Sequence, residues 1–433
     1  MAEDQTLKIG IAGLGTVGAS LVKIIQSESG MLTARSGRKI EIAAVTARDS
    51  KKDRGLDLSG VEWVETPEAM ADMPELDIVV ELIGGDSGAA KVLVESSLAN
   101  GKHVVTANKA LLAHHGAGLF ALAAENGKTL AFEAAVAGGI PIIKALREGL
   151  AANHISAVYG ILNGTCNYIL TEMWQNGLEF ETALKDAQEA GYAEADPSFD
   201  IDGIDAGHKL AVLSALAFTG KPDFDGVEIE GLRNISAIDI DYAAELGYRI
   251  KLLGIARLTE NGVVQTVAPC MIPVSSNLAT VEGATNAVFV EGDRVGPTLY
   301  VGAGAGGMPT ASAVMADILD IARGSAPPRL PFVETETEAP FETRTGRFYL
   351  RLTVKDEPGV MADVTAMLRD HAVSMKSILQ YGQGGAESVP LIMITHEAKE
   401  SAVRDVLAAL HGLDSVLEKP CFLRVEMMGQ EDA

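Results

Sequence analysis

A glycine-rich turn close to the start of the chain constrains its fold more than any other feature. The cluster Gly13-Leu14-Gly15-Thr16-Val17-Gly18 follows a short apolar run, 7–12, and a helical pattern begins at Ala19. A GxGxxG spacing between a strand and a helix is the form that binds a dinucleotide. Its glycines serve a tight turn, a close approach of the backbone to a pyrophosphate, and close helix–strand packing. The pattern predicts a Rossmann-type, doubly wound α/β domain; the alternative is a glycine turn that binds no nucleotide.

The end of the second predicted strand, 40–46, indicates which nicotinamide dinucleotide the domain prefers. Arg48 follows this strand, with Lys51 and Lys52 close behind. A guanidinium at this place accepts a 2′-phosphate, which favours NADP, whereas an acid binds the ribose hydroxyls of NAD. Asp49 therefore keeps NAD open, and the two lysines are equally well explained as part of a solvated loop.

Lys109 comes directly after another predicted strand, 102–106. In doubly wound sheets, ligands bind outside the carboxyl ends of the strands. A lysine at this place is therefore interpreted as functional rather than as a surface charge.

An acid-rich stretch, 191–210, holds five carboxylates and ends near Lys209. Asp205 and Lys209 are four residues apart, so they share one face if a helix begins near Ile204. One interpretation is an acidic loop that caps a helix, with a surface ion pair. The other is a site where carboxylates hold the ammonium of a small polar substrate beside a lysine that transfers a proton.

Two further stretches carry polar groups in apolar surroundings. Glu133 lies in an apolar run and needs a partner, because an isolated buried carboxylate is costly. A carboxylate with backbone carbonyls suits a hard cation, so a monovalent ion is one interpretation. Cys166, within 163–168, is the candidate nucleophile of the chain.

Composition excludes several classes of function. The chain has 433 residues, with 59 acids against 35 bases and a net charge of −24, which disfavours nucleic acid and anionic membranes as partners. Three scattered cysteines indicate a reducing compartment. No apolar stretch approaches about 20 residues, and the start lacks the pattern of a signal peptide. These features predict a soluble, cytoplasmic protein.

The carboxyl-terminal part has its own pattern. A Pro- and Glu-rich stretch, 326–345, is typical of a linker. Beyond it, predicted strands and helices over 346–428 follow the order βαββαβ, which predicts a ferredoxin-like sandwich.

Six motifs together resemble the homoserine dehydrogenase family, over residues 7–325. They are 13–18, Thr-Ala-Asn-Lys at 106–109, Glu-Ala-Ala-Val-Ala-Gly-Gly-Ile-Pro at 133–141, Asn-Gly-Thr-Cys-Asn-Tyr at 163–168, the acid-rich stretch 191–209, and Gly-Ala-Gly-Ala-Gly-Gly-Met-Pro-Thr at 302–310. The resemblance implies NAD(P)H-dependent, reversible reduction of L-aspartate 4-semialdehyde to L-homoserine, on the route to threonine and methionine.

The resemblance also implies roles for particular residues. Lys209 corresponds to the acid/base lysine and Lys109 to its partner at the reacting oxygen and the cofactor. Glu194 is implied to hold the substrate ammonium with the support of Asp200 and Asp205, while Gly164 and Thr165 line the substrate. The resemblance adds Gly191 and Gly306 to the expected cofactor contacts, which are 13–18, Arg48 and Lys109. The implied structural sodium site is Glu133 with the carbonyls of Val136, Gly138 and Ile140.

The turn at 355–360 resembles an ACT domain, a module that pairs through its sheets and binds an amino acid. The implied ligand is L-threonine, as a feedback inhibitor, at Asp356, Gly359 and Val360; the alternative is a module that only dimerises. The expected domains are 1–130 for the nucleotide, completed by a helix near 305–325, then 131–304 for substrate and dimerisation, the linker and the ACT domain. A homodimer or homotetramer is expected.

Two other functions remain open at this point. Aspartate-semialdehyde dehydrogenase requires a cysteine nucleophile, for which Cys166 is a candidate. A non-catalytic amino-acid sensor with a nucleotide-binding platform would need neither Lys109 nor Lys209.

Overall fold

The computed structural model describes residues 6–325, 344–380 and 387–428. They form two compact units. The first takes the described residues of Met1–Leu162, Asp205–Val227 and Thr285–Glu336; the second takes those of Asn163–Ile204, Glu228–Ala284 and Thr337–Ala433. Strands and helices are numbered below along the chain.

The first unit is built on a parallel six-stranded sheet. Its strands are β1 Leu7–Ala12, β2 Ile40–Thr46, β3 Glu62–Trp63, β4 Ile78–Glu81, β5 His103–Thr106 and β6 Leu130–Ala131, in the order β3-β2-β1-β4-β5-β6. Ile9 pairs with Ile42 on one side and with Ile78 on the other. The central strands β1, β2, β4 and β5 are mostly apolar, as is typical of parallel strands covered on both faces. The order reverses between β1 and β4, so a ligand crevice is expected at their carboxyl ends.

The helices of the first unit are α1 Thr16–Ser27, α2 Ser29–Ser36, α3 Ala89–Ala99, α4 Lys109–Glu125, α5 Ile142–Lys144, α9 Ile204–Ser214 and α11 Gly307–Ala322. Short π-helical turns, Ala145–Gly149 and Ala215–Thr219, continue α5 and α9. Helix α11 packs on α1 in one apolar core that includes Leu21, Ile25, Val314 and Ile318. Three antiparallel strands complete the unit, namely β7 Ile155–Ile161, β11 Thr285–Gly292 and β12 Gly296–Ala303.

The second unit contains a six-stranded sheet in the order β9-β10-β17-β13-β15-β14. The strands are β9 Tyr248–Thr259, β10 Gly262–Pro273, β13 Thr345–Lys355, β14 Met375–Gln380, β15 Ser388–Thr395 and β17 Cys421–Val425. Its helices are α6 Gly164–Asn176, α7 Phe180–Glu189, α8 Ser198–Ile201, α10 Ala237–Glu245, α12 Val360–Asp370 and α13 Glu400–His411. Two short strands, β8 Val227–Ile229 and β16 Ala398–Lys399, accompany them.

The carboxyl-terminal module has the predicted βαββαβ order. It runs β13-α12-β14-β15-α13-β17, and α12 and α13 pack on the sheet through buried residues such as Val364, Leu368, Val403 and Leu410. The predicted ferredoxin-like sandwich is therefore confirmed. The predicted linker, 326–345, lies outside the described residues except for its last two.

Within the described ranges, no helix combines the length and the apolarity that crossing a bilayer requires.

Candidate active site

The glycine turn has the geometry that a dinucleotide requires. Gly13 has a φ of +107°, and a Cβ there would lie 2.4 Å from the carbonyl oxygen of Leu82. A Cβ on Gly18 would lie 1.9 Å from the carbonyl oxygen of Gly13, whereas Gly15 faces open space. Gly15 is the N-cap of α1, so the first N–H groups of the helix are available to a pyrophosphate. These residues fit the predicted cofactor.

Gly306 and Gly307 bring a second glycine-rich turn to α1. Gly306 has a φ of +126°, and a Cβ on Gly307 would lie 2.6 Å from Ser20 Oγ on α1. The motif at 302–310 thus belongs to the packing of α11 against the nucleotide-binding helix.

The basic residue that contacts the glycine turn is Arg54 rather than Arg48. Arg54 Nε donates to the carbonyl of Leu14 at 3.1 Å, and its Nη2 donates to the carbonyl of Asp49 at 2.7 Å. Arg48 itself is exposed in the loop after β2. Arg54 lies six residues after Arg48 and eight after the end of β2, too far from the strand for the pattern at the strand end to indicate it.

Two lysines share one buried carboxylate. Lys109 is the first residue of α4, and its Nζ donates to Asp205 Oδ1. Lys209 Nζ donates to Asp205 Oδ2 at 2.7 Å and to the carbonyl of Leu162 at 2.7 Å. Asp205 is 3% exposed and Lys209 is 8% exposed. The arrangement is not the surface ion pair of the alternative interpretation, because Asp205 and Lys209 are both buried, although the Lys109 side chain is 32% exposed.

The charge of Asp205 is fixed by these neighbours. Burial alone would raise the pKa of its carboxyl group, but the ammonium groups of Lys209 and Lys109 outweigh burial and hold that pKa far below its usual range. Asp205 is therefore ionised at neutral pH. It acts as a fixed counter-ion that keeps the two ammonium groups side by side.

A network of hydrogen bonds at the carboxyl ends of β4 and β5 fixes the start of α4 and so the position of Lys109. Buried Glu81 accepts hydrogen bonds from Ile83 N at 2.7 Å and from Thr106 Oγ1 at 2.5 Å. Asn108 N donates to Thr106 Oγ1 at 3.0 Å, and the Asn108 side chain caps α4 by accepting from Leu111 N at 3.0 Å. Lys109 is thus held at the carboxyl end of the sheet, where its position in the sequence predicted it.

His208 lies beside the lysines and is almost fully buried. Its Nε2 is 3.2 Å from Nε2 of His114, and its ring is 4.3 Å from that of Phe224. Burial, together with His114 and Lys109, lowers the pKa of His208 to about 4. The folded chain therefore keeps this ring neutral at pH values where an exposed histidine is protonated.

Acidification should consequently weaken the fold through His208. In the unfolded chain His208 takes up a proton near pH 6.5, whereas in the folded chain it takes one up only near pH 4. The free energy of unfolding therefore decreases as the pH falls from about 6.5 towards 4. Between pH 7 and pH 5, the wild type should lose about 2 kcal/mol more unfolding free energy than His208→Asn. Urea denaturation at both pH values measures this, with the exposed His411→Asn as the control. Equal losses in wild type and His208→Asn would contradict it.

In the second unit, the start of α6 is joined to Asp200 of α8. Asn163 caps α6 by accepting from Cys166 N at 2.8 Å, and its Nδ2 donates to Asp200 Oδ1 at 2.7 Å. Thr165 Oγ1 donates to the carbonyl of Tyr192 at 2.8 Å and lies 3.4 Å from Asp200 Oδ2. Thr165 and Asp200 are therefore brought together, with Asn163 as a partner that the sequence did not single out.

The remaining predicted residues of this loop are placed separately. Glu194 and Gly191 are exposed, and Gly191 has a φ of +77° in the turn after α7. Gly164 is the first residue of α6. Cys166 is fully buried, and its Sγ donates to the carbonyl of Asp200 at 3.2 Å, so it packs as a structural thiol rather than as an accessible nucleophile.

Glu133 has backbone partners. Its carboxylate accepts from Ile143 N at 2.9 Å and from Lys144 N at 3.0 Å, at the start of α5. Burial nevertheless raises the pKa of Glu133 above its usual value. A cation beside this carboxylate would offset that effect. Among the described residues there is no cluster of three or more His, Cys, Asp and Glu side chains suited to a metal.

Comparison with known proteins decides the family. The family model "Homoserine dehydrogenase" matches residues 141–319, and "Homoserine dehydrogenase, NAD binding domain" matches 13–133. The chain is 45% identical to a homoserine dehydrogenase of Neisseria gonorrhoeae, over 98% of this chain and 99% of that relative. The chain belongs to the homoserine dehydrogenase family. It is therefore an oxidoreductase that uses a nicotinamide cofactor, and the resemblance of its motifs is confirmed.

Solved structures agree with this family in fold. A crystal structure of a homoserine dehydrogenase from Thiobacillus denitrificans has a TM-score of 0.92 and 47% identity, covering 98% of this chain and 99% of that chain. A hyperthermophilic archaeal homoserine dehydrogenase in complex with NADPH has a TM-score of 0.63 and 29% identity, covering 76% of this chain and all of that one. An ACT family model matches residues 348–414. The two rival functions, aspartate-semialdehyde dehydrogenase and a non-catalytic sensor, are set aside.

Near the two lysines, Asn286 is a further residue that the sequence did not reveal. Its Nδ2 donates to the Leu162 carbonyl at 3.0 Å, the same oxygen that receives Lys209. A Cβ on Gly304 would lie 2.1 Å from Asn286 Cγ, so Gly304 leaves room for this amide. The separation of 124 residues between Asn286 and Leu162 explains why no local pattern indicated the contact.

Proposed function

We propose that the chain interconverts L-aspartate 4-semialdehyde and L-homoserine with NADP(H) or NAD(H), and that reduction to homoserine is its direction on the route to threonine and methionine. The observation that carries the proposal is the group in which Lys109 and the buried Lys209 both contact the buried carboxylate of Asp205. An aldehyde reduction needs a proton donor and a positive charge at the carbonyl oxygen, and this group offers both.

The lysines would act on the oxygen atom of the substrate. When bound, the nicotinamide supplies the hydride to the aldehyde carbon or accepts it back. As negative charge develops on the oxygen, the Lys209 ammonium stabilises it and donates a proton, with Lys109 as the second cation. Asp205 holds both ammonium groups, and the Leu162 carbonyl fixes the direction of Lys209. In homoserine oxidation the same lysine accepts the proton.

The substrate ammonium is assigned to the acidic loop. Glu194 is the proposed acid, supported by Asp200 and Asp205, with Gly164 and Thr165 lining the substrate. Asp200 is prepared for such a role because Asn163 and Thr165 orient both of its carboxylate oxygens.

Asp200→Asn should therefore raise the KM for homoserine by about tenfold, with KM for NADP nearly unchanged, since one charged hydrogen bond is lost. Initial rates of homoserine oxidation at varied substrate concentration measure this. Asp293→Asn, on an exposed turn, is the control. An unchanged KM would remove Asp200 from the substrate site.

The proposed cofactor contacts are the turn 13–18, Arg48, Lys109, Gly191 and Gly306, to which the structure adds Arg54. The NADPH bound by the archaeal relative supports NADP. We also propose a sodium ion at Glu133 with the carbonyls of Val136, Gly138 and Ile140, as a structural element without a step in the reaction.

The proposed domains are 1–130 with the helix near 305–325 for the nucleotide, 131–304 for substrate and dimerisation, the linker 326–345, and 346–428 for regulation. The matches to the three family models, at 13–133, 141–319 and 348–414, follow the same order along the chain as these domains. A homodimer or homotetramer is the proposed assembly.

Feedback inhibition by L-threonine is proposed for the ACT domain. Asp356 and Gly359 are exposed at the turn before α12, and Gly359 has a φ of +101°, while the Val360 side chain is buried in the module's core. Threonine at millimolar concentration should inhibit the wild type, and Asp356→Ala should weaken that inhibition without changing the uninhibited rate. A wild-type enzyme insensitive to threonine would leave dimerisation as the role of the module.

Steady-state oxidation of L-homoserine with NADP and with NAD tests the overall proposal. Activity with homoserine supports it, and the ratio of kcat/KM for the two cofactors gives the preference. No activity with homoserine under either cofactor would contradict it.

A further inference from the structure

A cluster of charges in the second unit, buried at its centre and partly exposed at its edge, has no part in the chemistry proposed above. It consists of Glu228, Glu230, Glu400, Arg404 and Arg424, and is called the charge cluster below. Glu400 is 0% exposed and Arg424 is 1% exposed. Buried ion pairs are weak contributors to stability compared with apolar side chains of the same size, so stability alone explains the cluster poorly.

The charge cluster ties the carboxyl-terminal module to the segment 228–233. Arg404, on α13, donates from Nη2 to Glu228 at 3.0 Å and to Glu230 at 2.6 Å. Arg424, on β17, donates from Nη1 to Glu230 at 3.1 Å and from Nη2 to Glu400 at 2.6 Å. Two guanidinium groups of the module therefore hold both carboxylates of the segment.

The end of the same segment, residues 231–233, contacts α8 and the residue that follows it. Leu232 N donates to the carbonyl of Ile201 at 2.8 Å. A Cβ on Gly231 would lie 2.4 Å from that carbonyl oxygen and 2.6 Å from Asp202 Cα, so the two backbones are in direct contact. Arg233 donates to both carboxylate oxygens of Asp202, at 2.5 and 3.0 Å.

Helix α8 carries Asp200 in its single turn. A shift of the segment 228–233 would move the backbone on which Asp200 stands, relative to Asn163 and Thr165. The contacts are thus continuous from the module's arginines, through six residues of chain, to a carboxylate of the substrate loop.

We propose that Arg404 and Arg424 are positioning residues for homoserine binding. Through residues 228–233 they set the position of α8 and Asp200, so the state of the carboxyl-terminal module is transmitted to the affinity for substrate. The inference rests on the proposed function, in which Asp200 helps to hold homoserine. It predicts that KM for homoserine responds to changes that touch neither substrate nor cofactor.

The test uses the full chain and two independent variants. Arg404→Met removes the guanidinium from a half-exposed side chain and keeps its apolar stem. Gly231→Ala places a methyl group against α8. Each should raise KM for homoserine about fivefold, with KM for NADP and kcat within about twofold of wild type. Arg404→Lys should restore part of the affinity.

Controls separate positioning from a loss of stability. Arg369→Met changes an exposed arginine of the same module, and Gly346→Ala adds a methyl group that meets only an ordinary contact with Phe348. Both should leave KM unchanged. Thermal unfolding of every variant identifies those that are destabilised. If every destabilised variant, including a destabilised control, showed the same rise in KM, the proposal would be overturned.

A double variant decides the route. If Arg404 acts through Asp200, adding Arg404→Met to Asp200→Asn should raise KM no further, whereas independent effects multiply. Two outcomes would overturn the inference and leave the proposed function intact. In the first, the effects of the two substitutions on KM multiply. In the second, Arg404→Met and Gly231→Ala both have a normal KM while Asp200→Asn has a raised one. An unaffected Asp200→Asn would instead reject the substrate role on which the inference rests.

Discussion

Replacing Lys209 by alanine is expected to lower kcat for homoserine oxidation by about a thousandfold, the range found when a proton-transferring or charge-stabilising group is removed. The KM for NADP should change little, because the dinucleotide is assigned to the glycine turn. The loss falls on kcat since the lysine's interaction with the oxygen strengthens as charge develops there. Steady-state kinetics with varied homoserine and NADP measure both constants.

The chain offers a matched control for this variant. Lys185 and Glu189 on α7 form another lysine–carboxylate pair four residues apart, but their side chains are 73% and 68% exposed. Lys185→Ala should keep full activity. If Lys209→Ala retains kcat while Lys109→Ala loses it, the proton-transfer role belongs to Lys109; if both retain it, the lysine assignment is wrong.

Asp205→Asn is expected to lower kcat by about a hundredfold and to destabilise the fold by about 3 kcal/mol. The substitution keeps the shape of the side chain but removes the anion that both ammonium groups contact. Lys109 and Lys209 would then repel each other in a site with little solvent. Kinetics and urea denaturation of the same preparation measure the two effects, and Glu189→Gln is the exposed control.

The loss of stability in Asp205→Asn should not depend on pH in the neutral range. Because the pKa of Asp205 is held far below its usual range, the stabilisation that its charge contributes is complete above about pH 4 and declines only as the pH falls further. The stability difference between wild type and Asp205→Asn should therefore stay constant from pH 6 to pH 9. A difference that grows steadily across this range would contradict a permanently ionised Asp205.

Local patterns predicted those parts of the site that lie on one element. The glycine spacing at 13–18 follows from steric demands within a single turn, and the four-residue step from Asp205 to Lys209 follows from helix geometry. The position of Lys109 followed from the rule that ligands meet the carboxyl ends of parallel strands. Each of these needs only a stretch of fewer than about ten residues to be recognised.

The remaining residues could not be predicted because their contacts join distant parts of the chain. Lys109 and Asp205 are 96 residues apart, and Asn286 reaches the Leu162 carbonyl over 124 residues. Arg54 rather than Arg48 contacts the glycine turn because the loop after β2 folds back on it, which strand periodicity does not encode. The charge cluster is likewise invisible in sequence, where its acids and arginines look like ordinary surface residues.

Chemical rescue of Lys209→Ala tests the central claim most directly, namely that the Lys209 amine transfers the proton at the substrate oxygen. Homoserine oxidation by this variant would be measured with increasing concentrations of methylamine and ethylamine, beside Asp205→Asn under the same conditions. Amines should restore part of kcat in Lys209→Ala, more strongly as the fraction of free base rises with pH, and should leave kcat of Asp205→Asn unchanged. A rate in Lys209→Ala that stays low and independent of amine, while Lys109→Ala is rescued, would contradict it.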